Sequence, residues 1–458
     1  MQTKISVIGL GKLGASMAAA FASRGFEVIG VDVNEHSVQL LNEGQAPVQE
    51  TDLGKYIEEN KSRLRATMSH QEAVLNSEVS FVIVPTPSDD KGSFSLQYAA
   101  WAFKELGRAL RHKKGYHTFV LTSTVLPGAT RHGLLPILEH ESGKKCGVDF
   151  GLCYSPEFIA LGSVIRDFLS PDFTLLGEFD EKCGKAVEEV YAATMLNNAP
   201  CKRMSLENAE LTKISVNTFV TTKITFANML ANLCERIPGG NIDVVTDALG
   251  TDTRIGRKYL TGALGYGGPC FPRDNVALSY IAEQLGSRAE LAETTDRFNR
   301  SQAEKITNRL KPLIKYGATI AILGLAYKPG SHVVEESQGI YLAKTLSEAG
   351  ARVVAFDPLA GETANNEFKG KILILNSVEQ CLEQAEVVLI TTADPIFQNL
   401  KYQNFNSEFN HIVVVDFWRI LRGELENRPN IEYIPIGCST DDKQNDERLN
   451  QLWSGEHL

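Results

Sequence analysis

The 458-residue sequence contains no apolar run long enough to cross a bilayer and no excess of basic residues. Its apolar stretches, such as Val387 to Ile390 and Ile412 to Val415, fall far short of the roughly 20 residues that a spanning helix needs. The N-terminus starts in a strand-like segment and lacks the charged, apolar and small-residue regions of a signal peptide. We therefore expect a cytoplasmic protein without a membrane partner.

The charge balance and the cysteine spacing argue against two further classes. With 46 basic and 56 acidic residues the net charge is −10, so counterion release from nucleic acid is not expected to drive binding. The eight cysteines form no CxxC pair and have no His partners, so we expect neither a metal site nor a disulfide framework. A small phosphorylated ligand is still compatible with this charge, because it needs only a few local donors.

Short β-branched runs alternate with longer helical patterns, which is typical of βαβ units around a parallel sheet. Between two groups of such runs helical patterns dominate, and the longest covers residues 207–237 before a Pro-Gly-Gly stop signal. The pattern predicts an α/β protein with two doubly wound domains joined by a helical middle. The predicted strands are Ile5–Ile8, Val28–Asp32, Phe81–Val84, Thr118–Thr122 and Gly151–Tyr154, then Thr319–Leu323, Arg352–Phe356, Val387–Thr391 and Ile412–Asp416.

The first predicted strand leads into a glycine-rich turn that is typical of dinucleotide binding. Gly9, Gly11 and Gly14 form a GxGxxG motif around Lys12 and Leu13, and a helix rich in small residues follows. Such glycines allow a tight turn and bring a pyrophosphate close to the amide groups of a helix N-terminus.

An acidic residue supports the same interpretation and selects between two cofactors. Asp32 ends the next strand about 20 residues further on, where its carboxylate can accept hydrogen bonds from ribose hydroxyls. No Arg or Lys follows within VDVNE, so a 2′-phosphate would meet uncompensated repulsion. NAD is therefore favoured over NADP, and the alternative is a glycine turn in an ordinary βαβ unit.

The segments VPTP and ST follow two later predicted strands. Ligands of open parallel sheets bind at the carboxyl ends of the strands, so Pro85, Thr86, Ser123 and Thr124 are candidates to line the cofactor. A plain loop-capping role for both segments is the alternative.

The segment GYGGPCFPRD places three glycines and two prolines around Cys270. This much backbone constraint suggests a loop that closes on a ligand, and Arg273 and a nearby Lys could favour the reactive thiolate. The alternative is a packed small hydrophobic residue, since free cysteines are usually buried. That interpretation is kept for Cys146, Cys153, Cys183, Cys201, Cys234, Cys381 and Cys438.

On the predicted long helix Lys213 and Asn217 are four residues apart and therefore share one face. Their neighbours are mostly apolar, so the pair is a candidate for a partly desolvated site. A desolvated ammonium beside an amide suits the stabilisation of an oxyanion or the movement of a proton. A solvated, exposed face is the alternative.

The ordered motifs of the chain resemble those of the nucleotide-sugar 6-dehydrogenases of the UDP-glucose/GDP-mannose dehydrogenase family. The resemblance extends from Ile5 to about Arg419. The motifs that carry it are VIGLGKLG, TSTVLPG, SPEF, the Lys213/Asn217 helix, RIG with Arg254, GYGGPCFPRD, and LGLAYKPG with Lys328.

The resemblance implies a fold in three parts that agrees with the organisation read from the pattern. These are an NAD-binding Rossmann domain over residues 1–205, a helical dimerisation core over 206–310 and a C-terminal Rossmann-like domain for the nucleotide sugar over 311–438. The remaining residues, 439–458, form a polar tail that we expect to be frayed or disordered.

The resemblance also implies catalytic roles for individual side chains. Cys270 is the nucleophile that captures a C6 aldehyde, while Lys213 and Asn217 hold the C6 oxygen, with Asp274 nearby. Glu157 resembles the acid/base of the thioester step.

Further roles that the resemblance implies concern the cofactor, the substrate and a second subunit. Thr124 lies close to the nicotinamide, and Arg254 reaches across a homodimer to the substrate of the partner. The other residues assigned to the nucleotide sugar are Glu157, Phe158, Lys213, Asn217, Tyr259, Tyr266, Gly267, Gly268, Cys270, Tyr327, Lys328 and Arg419.

Two positions depart from the family pattern. Leu161 stands where an acidic residue is common, and Glu335 stands where an arginine is common. Since both positions belong to the cofactor side in the family, the departures predict altered contacts with NAD.

The implied reaction is the four-electron oxidation of a sugar C6 hydroxyl to a uronic acid, with UDP-glucose as the default substrate, for surface polysaccharide synthesis. GDP-mannose, a UDP-N-acetylhexosamine or another nucleotide sugar is the alternative. More remote alternatives are a β-hydroxyacid dehydrogenase, which needs no Cys270, and a non-catalytic nucleotide-sugar sensor.

Overall fold

The computed structural model describes residues 3–159, 162–311 and 318–454. The chain divides into two compact units, one of residues 1–216 with 280–286 and the other of residues 217–279 with 287–458. Among the described residues no helix is both long enough and apolar enough to cross a membrane.

The first part of the chain alternates strands and helices up to residue 205. The strands are β1 (Ile5–Ile8), β2 (Val28–Val31), β3 (Leu64–Thr67), β4 (Val79–Val82), β5 (His117–Leu121), β6 (Phe150–Tyr154), β7 (Thr174–Glu178) and β8 (Cys201–Ser205). The helices are α1 (Lys12–Ser23), α2 (Glu35–Asn42), α3 (Leu53–Asn60), α4 (His70–Leu75), α5 (Gln97–His112), α6 (Leu135–Ser142), α7 (Val164–Leu169) and α8 (Glu181–Thr194), with a π-helical segment at Ala129–Leu134.

These strands form one sheet in the order β3-β2-β1-β4-β5-β6-β7-β8. The first six are parallel, whereas β7 runs antiparallel to β6 and β8 runs parallel to β7. Because strand side chains alternate between faces, Ile5 and Val7 enter one apolar core and Ile8 enters the other. The strand order reverses direction between β1 and β4, which is where open sheets of this kind bind ligands.

The middle of the chain is helical. Its elements are α9 (Leu206–Cys234), α10 (Ile242–Thr251), α11 (Phe271–Gln284) and α12 (Glu290–Leu310). The long predicted helix is α9, which ends at Cys234, a few residues before the Pro-Gly-Gly signal.

A second alternating region follows. Its strands are β9 (Thr319–Leu323), β10 (Arg352–Phe356), β11 (Leu373–Ile374), β12 (Val387–Ile390), β13 (Ile412–Asp416) and β14 (Ile431–Pro435). Its helices are α13 (Gln338–Glu348), α14 (Gly361–Phe368), α15 (Val378–Leu382), α16 (Pro395–Gln398), α17 (Arg422–Leu425) and α18 (Asp442–Trp453), with a 3-10 turn at Tyr402–Asn404. The strands form a parallel sheet in the order β11-β10-β9-β12-β13-β14, with an apolar core on each face.

The structure confirms the predicted α/β fold with two parallel sheets, and it corrects the prediction for the end of the chain. The polar segment after residue 438 is not frayed throughout, because Asp442–Trp453 forms α18. The Asp441 side chain caps this helix by accepting from the amide of Gln444. The buried Asn445 side chain donates to the carbonyl oxygen of Glu235, which anchors the helix within the second unit.

Candidate active site

The glycine-rich turn between β1 and α1 has one glycine that faces open space and two that are enclosed by backbone. A Cβ added at Gly9, whose φ is +101°, would lie 2.0 Å from the carbonyl oxygen of Ile83, and one at Gly14 would lie 1.9 Å from that of Gly9. A Cβ at Gly11 would meet no atom within 4 Å. The tight glycines therefore serve the turn and its packing, while Gly11 leaves a surface onto which a ligand can approach.

The start of α1 and the end of β2 provide complementary groups for a dinucleotide. Gly11 is the N-cap of α1 and offers no side-chain acceptor, so the amide groups of Lys12, Leu13 and Gly14 can face an anion. The half-buried Asp32 carboxylate accepts from the amide of Leu10 at 2.7 Å and keeps further acceptor positions for ribose hydroxyls. This donor and acceptor set fits a dinucleotide without a 2′-phosphate.

The two predicted cofactor-lining segments are tied to each other. The Ser123 hydroxyl accepts from the amide of Val84 at 2.9 Å and donates to its carbonyl at 2.6 Å. The buried Thr86 hydroxyl donates to the carbonyl oxygen of Thr124 at 2.7 Å, while Pro85 is exposed. Ser123 and Thr86 therefore fix the loops at the carboxyl ends of β4 and β5, as the loop-capping alternative requires, and contact with the cofactor stays a prediction.

Glu157, after the end of β6, has an unusual protonation equilibrium. Burial raises the pKa of its carboxyl to about 8, although the nearby Lys213 charge and a hydrogen bond from Tyr191 oppose the shift. The Tyr191 hydroxyl lies 3.4 Å from the carboxylate and also bonds to Ser155 at 2.7 Å. A carboxyl that titrates near neutral pH is suited to general acid/base work.

Lys213 on α9 is buried and lies beside the same segment. Its ammonium donates to the backbone carbonyl oxygen of Glu157 at 2.6 Å and stands 4.4 Å from the centre of the Phe158 ring. The exposed-face alternative for Lys213 is therefore wrong, and the first unit brings Glu157, Phe158 and Lys213 together.

In the second unit a second polar pair links α9 to α11. The Asn217 amide donates to the buried Asp274 carboxylate at 2.6 Å. The adjacent Asn275 is fully buried, and its amide donates to Thr221, Tyr266 and the carbonyl oxygen of Phe271. Asn217 and Asp274 are thus held in one orientation by the helices that carry them.

Cys270 is exposed, whereas the other seven free cysteines are buried or half-buried. It directly precedes α11, and its carbonyl oxygen accepts from the amide of Asp274 at 2.9 Å. A thiol at a helix N-terminus is stabilised as the thiolate by the helix dipole. The buried-hydrophobe alternative for Cys270 is therefore wrong.

The glycines before Cys270 pack against the segment after β9. A Cβ at Gly267 would lie 2.3 Å from the carbonyl oxygen of Glu336, and one at Gly268 would lie 2.6 Å from the Tyr327 ring. The Gly268 amide also donates to the carbonyl oxygen of Glu335 at 2.9 Å. Part of the backbone constraint that suggested ligand contact therefore serves close packing within the protein.

The tyrosines assigned to the substrate differ in environment. Tyr266 is buried, and both of its backbone groups bond to the side chain of Asn299. Tyr259 is exposed with a φ of +63° and meets the Phe271 ring edge-on. Burial raises the pKa of Tyr327 to about 12, and the Cys270 thiol contributes to this shift. The two hydrogen bonds with Asn299 fix the backbone of Tyr266 and thereby the start of the loop that carries Cys270.

The charged residues assigned to the substrate also differ in how far their side chains are exposed. Lys328 is half-buried, with its ammonium 5.6 Å from the centre of the Tyr327 ring. Arg254 is highly exposed and pairs with Asp252 at 2.6 Å.

Arg419 is buried and already engaged within the second unit. Its guanidinium bonds to both carboxylate oxygens of Asp243, at 2.7 and 2.8 Å, and to the carbonyl oxygens of Phe417 and Ile436. These contacts give Arg419 a structural role in the second unit, and the substrate-binding role stays a prediction. Leu161, the other departure from the family pattern besides Glu335, lies outside the described residues.

Tyr191 and Asn275 contact the candidate site residues but were not predicted from the sequence. Tyr191 lies on α8, more than 30 residues from Glu157, to which its hydroxyl donates a hydrogen bond. No local sequence motif therefore predicts this contact. Asn275 directly follows the GYGGPCFPRD motif, and this adjacency is the signal that could have found it. Within the described ranges no group of three or more His, Cys, Asp or Glu side chains is arranged to hold a metal ion.

A parallel sheet with a glycine-rich turn, a helix that begins at this turn and an acidic acceptor at the next strand end is typical of dinucleotide-binding proteins. Three domain profiles of one family match the chain: the NAD binding domain over residues 3–195, the central domain over 207–301 and the UDP binding domain over 321–423. The chain belongs to the UDP-glucose/GDP-mannose dehydrogenase family, and it is an NAD-dependent dehydrogenase.

Individual relatives cover most of the chain. A UDP-glucose 6-dehydrogenase of Haloferax volcanii is 36% identical over 393 residues, which is 85% of this chain and 91% of that protein. A GDP-mannose 6-dehydrogenase of Azotobacter vinelandii is 34% identical over 412 residues, 87% of this chain and 93% of that protein. The structure of a UDP-glucose dehydrogenase from Pyrobaculum islandicum superimposes with a TM-score of 0.86 at 33% identity, covering 96% of this chain and 98% of that one.

Proposed function

We propose that the protein oxidises the C6 hydroxyl of a nucleotide sugar to the carboxylate, with UDP-glucose giving UDP-glucuronate as the first candidate reaction. The observation that carries this proposal is the exposed Cys270 at the start of α11, beside the fixed Asn217–Asp274 pair. The UDP binding profile and the UDP-glucose 6-dehydrogenase relative support the choice of nucleotide. We place the reaction in the reducing cytoplasm, where Cys270 stays a free thiol.

The chemistry requires two oxidations and one hydrolysis. NAD supplies the acceptor for a hydride in each oxidation. In the first oxidation the C6 alcohol also loses its hydroxyl proton, and the resulting aldehyde is attacked by the Cys270 thiolate to form a C–S bond. Loss of a second hydride turns the thiohemiacetal into a thioester, and water breaks the C–S bond to release the carboxylate and the thiol.

The chain supplies charge stabilisation and proton transfer for these steps. We assign Lys213 and Asn217 to the C6 oxygen, because an ammonium and an amide donor stabilise an oxyanion in a site from which water is excluded. Asp274 orients the Asn217 amide through their 2.6 Å hydrogen bond. Glu157 is the acid/base of the thioester step, with Thr124 close to the nicotinamide and Lys328 on the nucleotide sugar.

We further propose a homodimer in which Arg254 reaches the site of the partner. Phe219, Phe226, Met229 and Leu233 of α9 are large, exposed and spaced as one helix stripe, which suits burial against a second copy. The exposed Arg254 follows α10 in the same unit. Residues 206–310 are the proposed dimerisation domain, between the NAD domain (1–205) and the nucleotide-sugar domain (311–438).

GDP-mannose is the second candidate substrate, because the relative from Azotobacter vinelandii is nearly as similar as the UDP-glucose enzyme. A UDP-N-acetylhexosamine is the third. The β-hydroxyacid dehydrogenase alternative is set aside because the UDP binding profile matches residues 321–423, and the sensor alternative because the family is one of dehydrogenases.

The decisive experiment measures NADH release from a panel of UDP- and GDP-sugars. We expect two NADH per sugar acid with the preferred substrate, and Cys270→Ser should abolish acid formation while NAD still binds. Cys201→Ser, at a half-buried cysteine outside the proposed site, is the matched control and should retain activity. Near-normal acid formation by Cys270→Ser, or one NADH per product, would remove the covalent mechanism.

The proton-transfer role of Glu157 predicts a pH dependence. As the base of thioester hydrolysis it must be deprotonated, so hydrolysis should accelerate as the pH rises through the pKa of about 8. Glu157→Gln should lose this rise and accumulate the Cys270 thioester, which intact-protein mass spectrometry detects. A Gln variant with the wild-type pH profile would contradict the assignment.

A further inference from the structure

A buried carboxylate on α9 has no part in the chemistry proposed above. Glu210 has no exposed surface, and its two carboxylate oxygens accept from the backbone amides of Gly128 at 2.5 Å and Thr130 at 2.8 Å. Burial raises the pKa of the Glu210 carboxyl, while the two amide donors oppose the shift. A polar group this deeply buried is retained only with its hydrogen bonds made, so Glu210 and the two amides form one unit.

The two amides that Glu210 holds belong to the end of the segment that carries Thr124. Gly128 has a φ of +90° and is the N-cap of the π-helical segment, so its amide orientation sets how the chain leaves the β5 loop. The other end of that loop is tied to the β4 loop through Thr86 and Ser123. The loop is therefore fixed at both ends, and Glu210 provides the attachment to α9.

The same helix carries Lys213 three residues further on. Lys213 donates to the carbonyl oxygen of Glu157 after β6, whereas Glu210 accepts from the segment after β5. Residues three apart on a helix lie on neighbouring positions of one face. One face of α9 thus fixes two loops at the carboxyl edge of the first sheet, one through a cation and one through an anion.

We propose that Glu210 is a positioning residue, which holds the segment carrying Thr124 against the helix carrying Lys213. This inference rests on the proposed function for its catalytic consequence. Without the carboxylate the loop after β5 loses its attachment to α9, and displacement of about 1 Å at a reacting centre can cost on the order of a hundredfold in rate.

A neighbouring glutamate offers a matched control. Glu207, one turn earlier on α9, pairs with Arg131 at 2.5 Å, but both side chains are about one-third exposed. Partly exposed ion pairs of this kind contribute little. Glu207→Gln therefore changes the same charge, on the same helix and toward the same segment, without creating an unsatisfied buried group.

The test compares Glu210→Gln with Glu207→Gln in the full chain. Gln keeps the shape of Glu but turns one acceptor oxygen into a donor facing a backbone amide. We expect Glu210→Gln to lower kcat roughly tenfold or more while the dissociation constant of NAD stays within about twofold, and Glu207→Gln to behave as wild type. Hydrogen exchange should accelerate in residues 122–134 of the Glu210 variant alone.

Two results would overturn the proposal. One is a folded Glu210→Gln protein with wild-type kcat or with unchanged exchange in residues 122–134. The other is a fall in kcat matched by an equal fall in NAD-binding capacity, which indicates lost folded protein. If Glu210→Gln does not fold, Glu210→Asp keeps the charge but shortens its reach, and it must show the same selective loss of kcat.

The exchange measurement separates this inference from the proposed function. A wild-type enzyme that releases no NADH from any nucleotide sugar counts against the function alone. Exchange needs no substrate, so the attachment by Glu210 is tested in either case.

Discussion

The two parallel sheets share one strand order, yet only the first has the geometry of a dinucleotide site. Counted within each sheet, both follow the order 3-2-1-4-5-6 before the reversed strands of the first. Both first strands are followed directly by a glycine with positive φ, +101° at Gly9 and +111° at Gly324. A shared sheet order therefore does not by itself confer a shared ligand.

The acidic residues at equivalent strand ends show the clearest difference. Asp32 is half-buried and receives one amide from the turn after β1 and one from Asn34. Asp357, after β10, is buried and receives four amides, two from the turn after β9 and two from residues 359–360. Asp357 is saturated by its own backbone, whereas Asp32 keeps acceptor capacity for a ligand.

The two sheets also differ in the number of residues between the glycine after the first strand and the helix that follows it. A Cβ at Gly14 would strike the carbonyl oxygen of Gly9 at 1.9 Å, and one at Gly339 would strike that of Gly324 at 2.3 Å, so both helices pack equally closely on their strands. In the first sheet the helix starts directly after the turn, at Lys12. In the second it starts at Gln338, and residues 325–337 lie in between. The same close packing thus follows a short turn in the first sheet and the longer segment 325–337 in the second.

The strongest test of this comparison replaces each aspartate by alanine and measures both the stability and the NAD affinity of the two variants. Asp357→Ala should lower the free energy of unfolding by about 3 kcal/mol, because four buried amides lose a charged acceptor, and NAD affinity should not change. Asp32→Ala should leave the free energy of unfolding nearly unchanged but weaken NAD binding by roughly tenfold or more. It should also narrow the preference for NAD over NADP. Chemical denaturation and NAD titration read the two effects. Equal NAD affinity in Asp32→Ala and wild type would make Asp32 a mere strand-end residue.

The glycines sharpen the comparison at a smaller scale. Gly11→Ala should unfold like wild type, because its Cβ meets no protein atom, but it should weaken NAD by about fivefold where the pyrophosphate approaches. Gly339→Ala is the control, since its Cβ would strike a backbone oxygen and reduce stability without changing NAD affinity. Thermal melts of both variants measure the change in stability, and NAD titrations measure the change in affinity. Wild-type NAD affinity in Gly11→Ala would show that the open space beside Gly11 is not the cofactor site.

The smallest expected effect concerns Glu335, in the segment that the second sheet has and the first lacks. We predict that its exposed carboxylate, at a position where the resemblance implies an arginine, repels the anionic dinucleotide by about 1 kcal/mol, as expected at a partly solvated site. We therefore expect Glu335→Arg to tighten NAD several-fold, with Glu335→Gln in between. NAD titration of the three proteins measures it. Equal or weaker binding by the arginine variant would show that Glu335 serves another ligand group or the cysteine loop.

Several strands buried on both faces were predicted to the residue, whereas the missed strands are the buried β7 and four others that include every edge strand. The ends of β1, β9, β10 and β13 match the prediction residue for residue, because their apolar runs are continuous. The prediction missed the strands β3, β7, β8, β11 and β14. Edge strands such as β8 carry mixed side chains, for example Lys202 and Arg203, so no apolar period marks them.

Sequence by itself determined the parts of this protein that depend on neighbours along the chain. The GxGxxG turn, the acidic residue at the next strand end and the alternation of strands with helices are short-range patterns, since glycine φ angles and side-chain periodicity act within a few residues. They were enough to predict NAD and two α/β sheets, and the order of the motifs was enough to suggest the family.

Only the tertiary structure decided how individual side chains are used. The pKa of Glu157 near 8, the burial of Glu210 against two amides and the engagement of Arg419 by Asp243 each join segments tens of residues apart or more. Desolvation and hydrogen bonding depend on which groups surround a side chain in space, and no local spacing encodes that. For the same reason Asp32 and Asp357, alike in the sequence pattern, differ in what they can bind.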